Sequence, residues 1–278
     1  MAILLADSGA TKCEWCLLKK GKQETIFTQG ISPYFLNPDQ ITTLLKNELL
    51  PFLKKTTVEE VHYYGTGLSN PNNVQIIRKA IKQVLPSARV YADHDMMAGA
   101  RSLCGTSKGI ACILGTGSNC CYFDGKRIVK SSPGLGYVLG DEGSGAYLGK
   151  KTLQYYLYNT FDEELRYKFD AKFVTDRIEI LENTYKKPLP NRYLAGFTVF
   201  LAENRGHYMI ENIIEDGLND FFFQHLCKFN ESWKYPIHFV GGVAYGFKDV
   251  LQDLCKSYEF EFGRVLKNPM EGLIEYHS

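Results

Sequence analysis

AILLADSGATKCEWCLLK, residues 2–19, is the stretch of sequence that decides the fold of this chain. An apolar strand pattern, AILLAD, leads into the polar, glycine-containing turn SGATK, and a second strand pattern, CEWCLLK, follows. About 105 residues later the same plan returns as GIACILG, TGSN and CCYFD at residues 109–124. Two strand–turn–strand segments of one design indicate two halves built on the same plan.

The segments between and after these repeats alternate in predicted structure. Helical spacing over residues 38–55 and 73–85 alternates with the strand patterns VEEVHYYGTGL and ARVYADHD, which is typical of an α/β lobe. Beyond Gly145 the pattern becomes helical, and we expect its Tyr and Phe stripes to pack in the core. YPIHFVGGVAYGF then predicts one more strand, a glycine-rich turn and a helix start.

The length favours two lobes, because 278 residues exceed what one compact core usually holds. We predict an N-terminal α/β lobe over residues 1–107 and a C-terminal α/β lobe over residues 108–278, with a nucleotide cleft between them. The last ~12 residues are a candidate for packing back on the N-terminal lobe.

Charge and hydropathy exclude several kinds of partner. Lys and Arg total 32 against 31 Asp and Glu, a formal net charge of +1, without a long run of either sign. We therefore expect neither nucleic acid nor a membrane surface as partner. The N-terminus turns polar too early for a secretory signal, and no stretch approaches the roughly 20 apolar residues of a membrane helix, so we expect a cytoplasmic protein. Its aromatic-rich helices could supply a homodimer face.

Most of the eight cysteines sit in apolar strand or helix patterns, where they are expected to be small buried hydrophobes. Cys13 and Cys16 form a CxxC pair, but a metal site needs a second pair, which the chain lacks. A strand would place Cys13 with Trp15 on one face and Cys16 on the other.

Three glycine-rich loops are candidates for binding phosphate or nucleotide. In DSGATK, Gly9 lets the backbone approach an anion, while Thr11 and Lys12 can donate to phosphate oxygens. LGTGSN, residues 114–119, can aim several backbone N–H groups at one anion, and FVGGVAYG, residues 239–246, can lie against a base or ribose. Each loop taken alone could also be an ordinary turn. The repetition of the first two loops favours the binding of a triphosphate by both of them.

Acidic residues supply the remaining chemistry that phosphoryl transfer needs. Asp7, at the end of the first strand, is placed to hold magnesium through water. Asp93 and Asp95, after ARVYA, are the candidates for the carboxylate that accepts a hydroxyl proton. Asp141 and Glu142 precede an apolar helix, where they can cap its N-terminus, and Asp141 can also accept hydrogen bonds from a polyol.

In this order, DSGATK, HDMMAGARSL, LGTGSN, GYVLGDEGSGAYLG and FVGGVA resemble the BadF/BadG/BcrA/BcrD group, which includes N-acetylglucosamine kinase, within the actin, hexokinase and sugar-kinase superfamily. The resemblance spans roughly residues 2 to 265 and implies two ribonuclease H-like lobes, ATP and Mg²⁺. It implies that Asp95 is the general base. The resemblance, together with the loop sequences, assigns the following residues to ATP binding: Gly9, Ala10, Thr11, Lys12, Gly115, Thr116, Gly117, Gly241, Gly242 and Val243. Those assigned to the sugar are Ser118, Asn119, Gly134, Leu135, Gly136 and Asp141.

The implied function is ATP-dependent phosphorylation of an amino sugar at a hydroxyl, with N-acetylglucosamine or a related N-acetylhexosamine as the first candidate. N-Acetylmuramic acid and glucosamine stay open, because Leu135 stands where animal N-acetylglucosamine kinases have Trp, and no Asn aligns without a gap in GISPYFLN. The same group contains ATP-hydrolysing activators of dehydratases and reductases, whose shared iron–sulfur cluster needs a Cys near the glycine-rich helix start. Residues 133–150 contain no Cys, which disfavours that role.

Overall fold

The structure, a computed structural model, describes residues 2–9, 12–54 and 56–278. It divides into two compact units. The first unit comprises Met1–Thr106 together with Pro269–Ser278, and the second unit comprises Ser107–Asn268. The C-terminal segment therefore groups with the N-terminal unit.

The strands of the described residues are short and are numbered in chain order. They are β1 (Ala2–Ser8), β2 (Lys12–Lys19), β3 (Lys22–Gln29), β4 (Glu60–Gly65), β5 (Arg89–His94), β6 (Gly109–Leu114), β7 (Ser118–Phe123), β8 (Ile128–Ser131), β9 (Ile237–Val240) and β10 (Phe262–Leu266).

The α-helices of the same residues are α1 (Pro38–Leu44), α2 (Leu50–Leu53), α3 (Pro71–Val84), α4 (Asp95–Cys104), α5 (Gly136–Leu139), α6 (Gly145–Leu157), α7 (Glu163–Lys172), α8 (Arg177–Tyr185), α9 (Pro190–Ala195), α10 (Thr198–Glu203), α11 (Tyr208–Gln224), α12 (Gly242–Gly246), α13 (Lys248–Ser257) and α14 (Met270–His277). A π-helical segment covers Leu45–Leu49, and two 3₁₀ segments cover Leu226–Lys228 and Asn230–Trp233.

The two units contain sheets of the same topology. In the first unit the strand order is β3-β2-β1-β4-β5, with β1, β2 and β3 antiparallel and β4 and β5 parallel to β1. In the second unit the order is β10-β9-β6-β7-β8, in which β6, β7 and β8 are antiparallel and β9 and β10 run parallel to β6. Read from the hairpins outward, the two orders are identical. The predicted fold, a duplicated α/β architecture of the ribonuclease H-like type, is confirmed.

Each unit has its own hydrophobic core. Cys13 and Trp15 both point into the core of the first unit, whereas Cys16 is buried on the opposite face of β2, as strand alternation requires. The second core is rich in phenylalanine, and Phe169 and Phe200 at its centre are fully buried. All the cysteines are free thiols, and Cys227 differs from the expectation of burial by being partly exposed.

Two predicted helices are interrupted for local reasons. The helix expected from residue 38 widens into the π-helical segment before Pro51, because a proline has no N–H with which to continue the regular hydrogen-bond ladder. Within the helical pattern predicted beyond Gly145, the segment RYLAGFTVFLAENRG is split at Gly196 into α9 and α10.

The C-terminal helix α14 packs against α4 in the first unit. A Cβ atom on Gly272 would lie 2.0 Å from the carbonyl oxygen of Ser102, so the helices approach backbone to backbone. His277, near the end of α14, contacts the Tyr64 hydroxyl through Nε2 at 2.9 Å. These contacts fix the final segment on the unit that begins the chain.

Candidate active site

The first predicted phosphate loop is the turn between β1 and β2. Gly9 donates its N–H to the carbonyl oxygen of Lys12 at 3.0 Å. Ala10 and Thr11, which the sequence assigns to ATP, lie outside the described residues. The Lys12 amine lies 3.6 Å from the centre of the Phe27 ring, so this predicted phosphate donor makes a cation–π contact with the neighbouring strand.

Two predicted acidic residues meet at one edge of the first sheet. Asp7, one residue before the end of β1, lies beside Tyr64 of β4, and Tyr64 is paired in turn with Asp93 of β5. Because these strands are parallel, their carboxyl ends lie at the same edge, and Asp95 follows directly on this edge as the first residue of α4. The catalytic and metal candidates are therefore brought together within the first unit.

The electrostatics of this edge reflect crowded carboxylates. Burial, with smaller contributions from the charges of Asp95 and Glu14, raises the pKa of the Asp7 carboxyl from 3.8 to about 7. Burial also raises the pKa of Asp95, and this effect is opposed by the Met96 N–H, which donates to Oδ1 of Asp95 at 2.8 Å. Such an edge favours a cation or a proton near Asp7.

The second predicted loop joins β6 to β7 in the second unit. The N–H of Gly115 donates to the carbonyl oxygen of Gly117 at 3.0 Å, which closes a tight turn. The carbonyl oxygens of Gly115 and Thr116 accept the N–H groups of Gly145 and Ala146 at 2.8 and 3.0 Å. The first turn of α6 therefore holds this loop in place, a connection that the sequence does not reveal.

Asp141 lies against the second loop, so three predicted residues meet there. The N–H of Ser118 hydrogen-bonds the Asp141 carboxylate and lowers its pKa, against a larger rise caused by burial. A Cβ atom on Gly117 would lie 3.0 Å from Oδ2 of Asp141, so a side chain at this position would press on the carboxylate. The Ser118 Oγ is buried without a hydrogen-bond partner. Asp141 itself has the unusual φ of +56°.

The interpretation of Asp141 and Glu142 as helix caps is wrong. Ser144 is the N-cap of α6, and its Oγ accepts the N–H of Tyr147 at 3.1 Å. A short hydroxyl side chain directly before the first helical residue has the geometry that a cap needs. The two acidic residues are therefore available for other contacts.

The remaining sugar candidates lie on β7 and on the segment before α5. Asn119 accepts the N–H of Cys120 through Oδ1 at 2.8 Å, and its Nδ2 would lie 3.8 Å from a Cβ on Gly134. Leu135 is 56% exposed, and Gly136 has φ +73° with open space where a Cβ would stand. The structure thus brings Gly134 beside Asn119, and it leaves Leu135 and Gly136 accessible.

A buried histidine network, which sequence reasoning missed, ties these segments together. Glu142 Oε2 lies 2.9 Å from Nε2 of His225, and Nδ1 of the same ring contacts the Ser132 Oγ. A carboxylate accepts hydrogen bonds, so Nε2 donates and Nδ1 accepts from the hydroxyl of Ser132. One histidine beyond the end of α11 thus joins the segment before Gly134 to the segment that contains Asp141. A lone His in a helical sequence gives no signal of such a role.

The third predicted loop begins α12 next to the second loop. Gly241 has φ +129°, and a Cβ there would lie 2.2 Å from the carbonyl oxygen of Leu114, so only glycine fits. Gly242 faces open space, whereas the side chain of Val243 is buried in the core. Of this predicted trio, Gly242 is the one whose missing side chain leaves room for a ligand.

Two kinds of site are absent from the part of the chain that the structure describes. Across residues 2–9, 12–54 and 56–278, no group of three or more His, Cys, Asp or Glu residues is arranged to hold a metal ion. None of the helices in that part of the chain is long and apolar enough to cross a membrane.

No protein-family model matches this chain, and neither does any curated protein. Among solved structures, it is similar to a "putative N-acetylglucosamine kinase" from Porphyromonas gingivalis, with 39% identity, a TM-score of 0.94, and coverage of 99% of this chain and 98% of that one. A "putative N-acetylglucosamine kinase" from Chromobacterium violaceum shares 16% identity at a TM-score of 0.75, with coverage of 100% and 99%. A "putative N-acetylmannosamine kinase" from Listeria monocytogenes shares 16% identity at 0.54, with coverage of 99% and 98%. The last two show the fold alone; at 39% identity over nearly the whole of both chains, this protein belongs to the family of sugar kinase-like proteins that the Porphyromonas gingivalis structure represents.

Proposed function

We propose that this protein is an ATP-dependent kinase that phosphorylates an amino sugar at a hydroxyl, with N-acetylglucosamine or a related N-acetylhexosamine as substrate. The observation that carries the proposal is the full-length similarity to a protein named for that activity, at 39% identity. The finer assignment to the BadF/BadG/BcrA/BcrD group belongs to the same proposal and rests on the order of the sequence motifs.

The second unit offers a surface that fits nucleotide phosphates. Gly115 and Gly242 both have open space where a side chain would stand, so their backbones are accessible to a ligand. When bound, Mg-ATP supplies the phosphoryl group and neutralises charge on it.

The first unit offers the acidic residues. The raised pKa of Asp7 means that a nearby cation would stabilise its ionised form, which fits a magnesium ion held through water.

Asp95 is the proposed general base. Its backbone position at the start of α4 and its hydrogen bond from Met96 hold the carboxylate in one orientation. Burial raises the pKa of Asp95, and this makes the carboxylate a better proton acceptor than an exposed aspartate. In the proposed reaction Asp95 would take the proton from the acceptor hydroxyl as that oxygen bonds to the γ-phosphorus of ATP and the bond from this phosphorus to ADP breaks.

Asp141, Ser118 and Asn119 are the proposed sugar contacts, together with the exposed segment Gly134–Gly136. Asp141 is held by the Ser118 N–H and can accept hydrogen bonds from sugar hydroxyls. The exposed Leu135 leaves the choice among N-acetylglucosamine, N-acetylmuramic acid and glucosamine to experiment.

A coupled ADP-release assay tests the proposal over a panel of hexoses, hexosamines and their N-acetyl and lactyl derivatives. We expect ADP release that depends on one N-acetylhexosamine and that falls sharply in the Asp95→Asn variant. ADP release that is the same with every sugar and in the absence of sugar would contradict the sugar-kinase assignment. It would favour an ATP-hydrolysing activator.

A further inference from the structure

The first unit contains a cavity of about 360 Å³ whose lining includes neither Asp7 nor Asp95, the residues that the proposed reaction uses in this unit. Residues of β4, β5, α3, α4 and α14 line it, and most of them are aromatic or cationic. The residues that matter for its chemistry are Tyr64, Arg78, Asp93, Arg101, Tyr276 and His277.

Two arginines in the wall of this cavity have an unmet hydrogen-bonding need. The Nε atoms of Arg78 and Arg101 are both buried without a hydrogen-bond partner. Within the part of the chain that the structure describes, the one other buried side-chain atom in this condition is the Ser118 Oγ. A buried donor on a charged group is costly to leave unpaired, so two of them in one cavity indicate a missing acceptor.

The guanidinium of Arg101 is fixed in place by its neighbours. Its Nη1 donates to the Tyr64 hydroxyl at 2.8 Å, and that hydroxyl is 2.9 Å from Nε2 of His277. The guanidinium carbon lies 5.4 Å from the centre of the Tyr276 ring. One edge of Arg101 is therefore committed to the protein while the Nε edge keeps its hydrogen for another acceptor.

The charges around the cavity favour an anion that also carries a hydroxyl group. Burial lowers the pKa of His277 to about 3 and also lowers that of His62, so both imidazoles are neutral at pH 7 and the positive charge belongs to the two arginines. The carboxylate of Asp93 also lines the cavity, and its Oδ1 accepts the N–H of His94 at 2.9 Å. A ligand must therefore offer an oxyanion to the arginines and a donor to Asp93.

We propose that this cavity binds a small hydroxylated oxyanion, either a phosphate monoester or a carboxylate, between Arg78 and Arg101. Both kinds of oxyanion match the fork of N–H groups on a guanidinium, and a hydroxyl of the ligand donates to Asp93. Since all of these residues belong to the first unit, the site is complete without the glycine loops of the second unit.

Isothermal titration tests the proposal with inorganic phosphate, glycerol 3-phosphate and glycerate, in saturating Mg-ADP so that the proposed nucleotide loops are filled. We expect at least one of the hydroxylated probes to bind more tightly than inorganic phosphate, and the comparison of glycerol 3-phosphate with glycerate identifies the oxyanion. Arg78→Met and Arg101→Met should each weaken binding at least tenfold. Lys79→Met, which removes a charge from the exposed face of the same helix as Arg78, is the matched control and should leave the affinity within twofold.

The proposal fails if none of the three probes binds, which would mean that the cavity holds only water. It also fails if Lys79→Met weakens binding as much as Arg78→Met does, because general charge attraction would then explain the effect. If Arg101→Met does not fold, the partly exposed Arg78 decides the outcome alone. None of these readouts needs kinase activity, so a failure of this proposal is distinguishable from a failure of the sugar-kinase assignment.

Discussion

Nε2 of His225 lies 2.9 Å from Oε2 of Glu142, and this contact joins α11 to the segment that carries Asp141. One turn earlier, Phe221 presses on the same segment, since a Cβ on Gly143 would lie 2.8 Å from the Cβ of Phe221. Gly143 has φ +70°, which a glycine adopts readily. The end of α11 therefore holds the proposed sugar-binding segment by the hydrogen bond of His225 and by the close packing of the Phe221 side chain on Gly143.

We predict that His225 positions the sugar site without touching the reacting atoms. His225→Ala would free both Glu142 and Ser132, so the KM for the sugar should rise about tenfold, as expected when a hydrogen-bonded positioning residue is lost. The KM for ATP should change less than threefold. His225→Gln, which can still donate to Glu142, should recover part of the sugar affinity.

His207→Ala is the matched control for this prediction. His207 also pairs with a carboxylate, Asp162, at 2.9 Å, but it caps the opposite end of α11. Steady-state kinetics should therefore show an unchanged sugar KM in His207→Ala. An equal rise of sugar and ATP KM in His225→Ala, without recovery in His225→Gln, would mean that His225 supports only the fold.

Asp95→Asn tests the general base. Removing the proton acceptor should lower kcat by about 10²- to 10⁴-fold, while the affinity for ADP measured by titration stays within threefold. Asp39→Asn is the control, because Asp39 likewise lies in the first turn of a helix in the first unit. A near-normal rate in Asp95→Asn would mean that another carboxylate is the general base, and Asp93 would be the first to test.

The folded state should become less stable as the pH rises through the range in which Asp7 titrates. The folded protein keeps a proton on Asp7 up to about pH 7, whereas the unfolded chain releases it near pH 3.8, so unfolding becomes easier between these values. Asp7→Asn removes this titration. The free energy of unfolding of Asp7→Asn minus that of the unmodified protein should therefore increase by about 2 to 3 kcal/mol from pH 5 to pH 8.

Urea unfolding at the two pH values, in the absence of divalent cations, measures this difference. The exposed Asp253 gives the control variant Asp253→Asn, whose stability relative to the unmodified protein should not depend on pH in this range. A pH-independent effect of Asp7→Asn would show that Asp7 is ionised in the folded protein without cost.

The elements predicted from sequence were those with a strong local pattern. The β1–β2 and β6–β7 hairpins show short apolar runs on either side of a glycine-containing turn, and both are confirmed. By contrast, α7 has only Leu165 and Phe169 on its buried face, and such a narrow apolar stripe does not stand out. The sequence does not predict β10, because it pairs in parallel with β9 and the chain between the two strands is helical. A pair of this kind has no tight turn that would mark it in the sequence.

The same limit applies to the site. The sequence makes Asp95 a candidate because an acid stands between a strand and a helix of small residues, and the structure confirms only that position. The approach of Asp141 to Gly117 and Ser118 depends on folding a segment back across the β6–β7 turn, which no spacing in the sequence encodes. The backbone contacts between that turn and α6 are likewise independent of side-chain identity.

Two adjacent glycines separate a structural role from a ligand-binding role in the third loop. Gly241→Ala would place a methyl group 2.2 Å from the carbonyl oxygen of Leu114 at φ +129°, so we expect a loss of stability of about 2 to 4 kcal/mol in urea unfolding. Gly242→Ala would place its methyl group in open space and should change stability by less than about 1 kcal/mol. If the nucleotide lies against this turn, Gly242→Ala should instead weaken ADP binding by about tenfold, or roughly 1.4 kcal/mol. Normal ADP affinity in Gly242→Ala would remove this turn from the proposed nucleotide site while leaving the role of Gly241 in the fold intact.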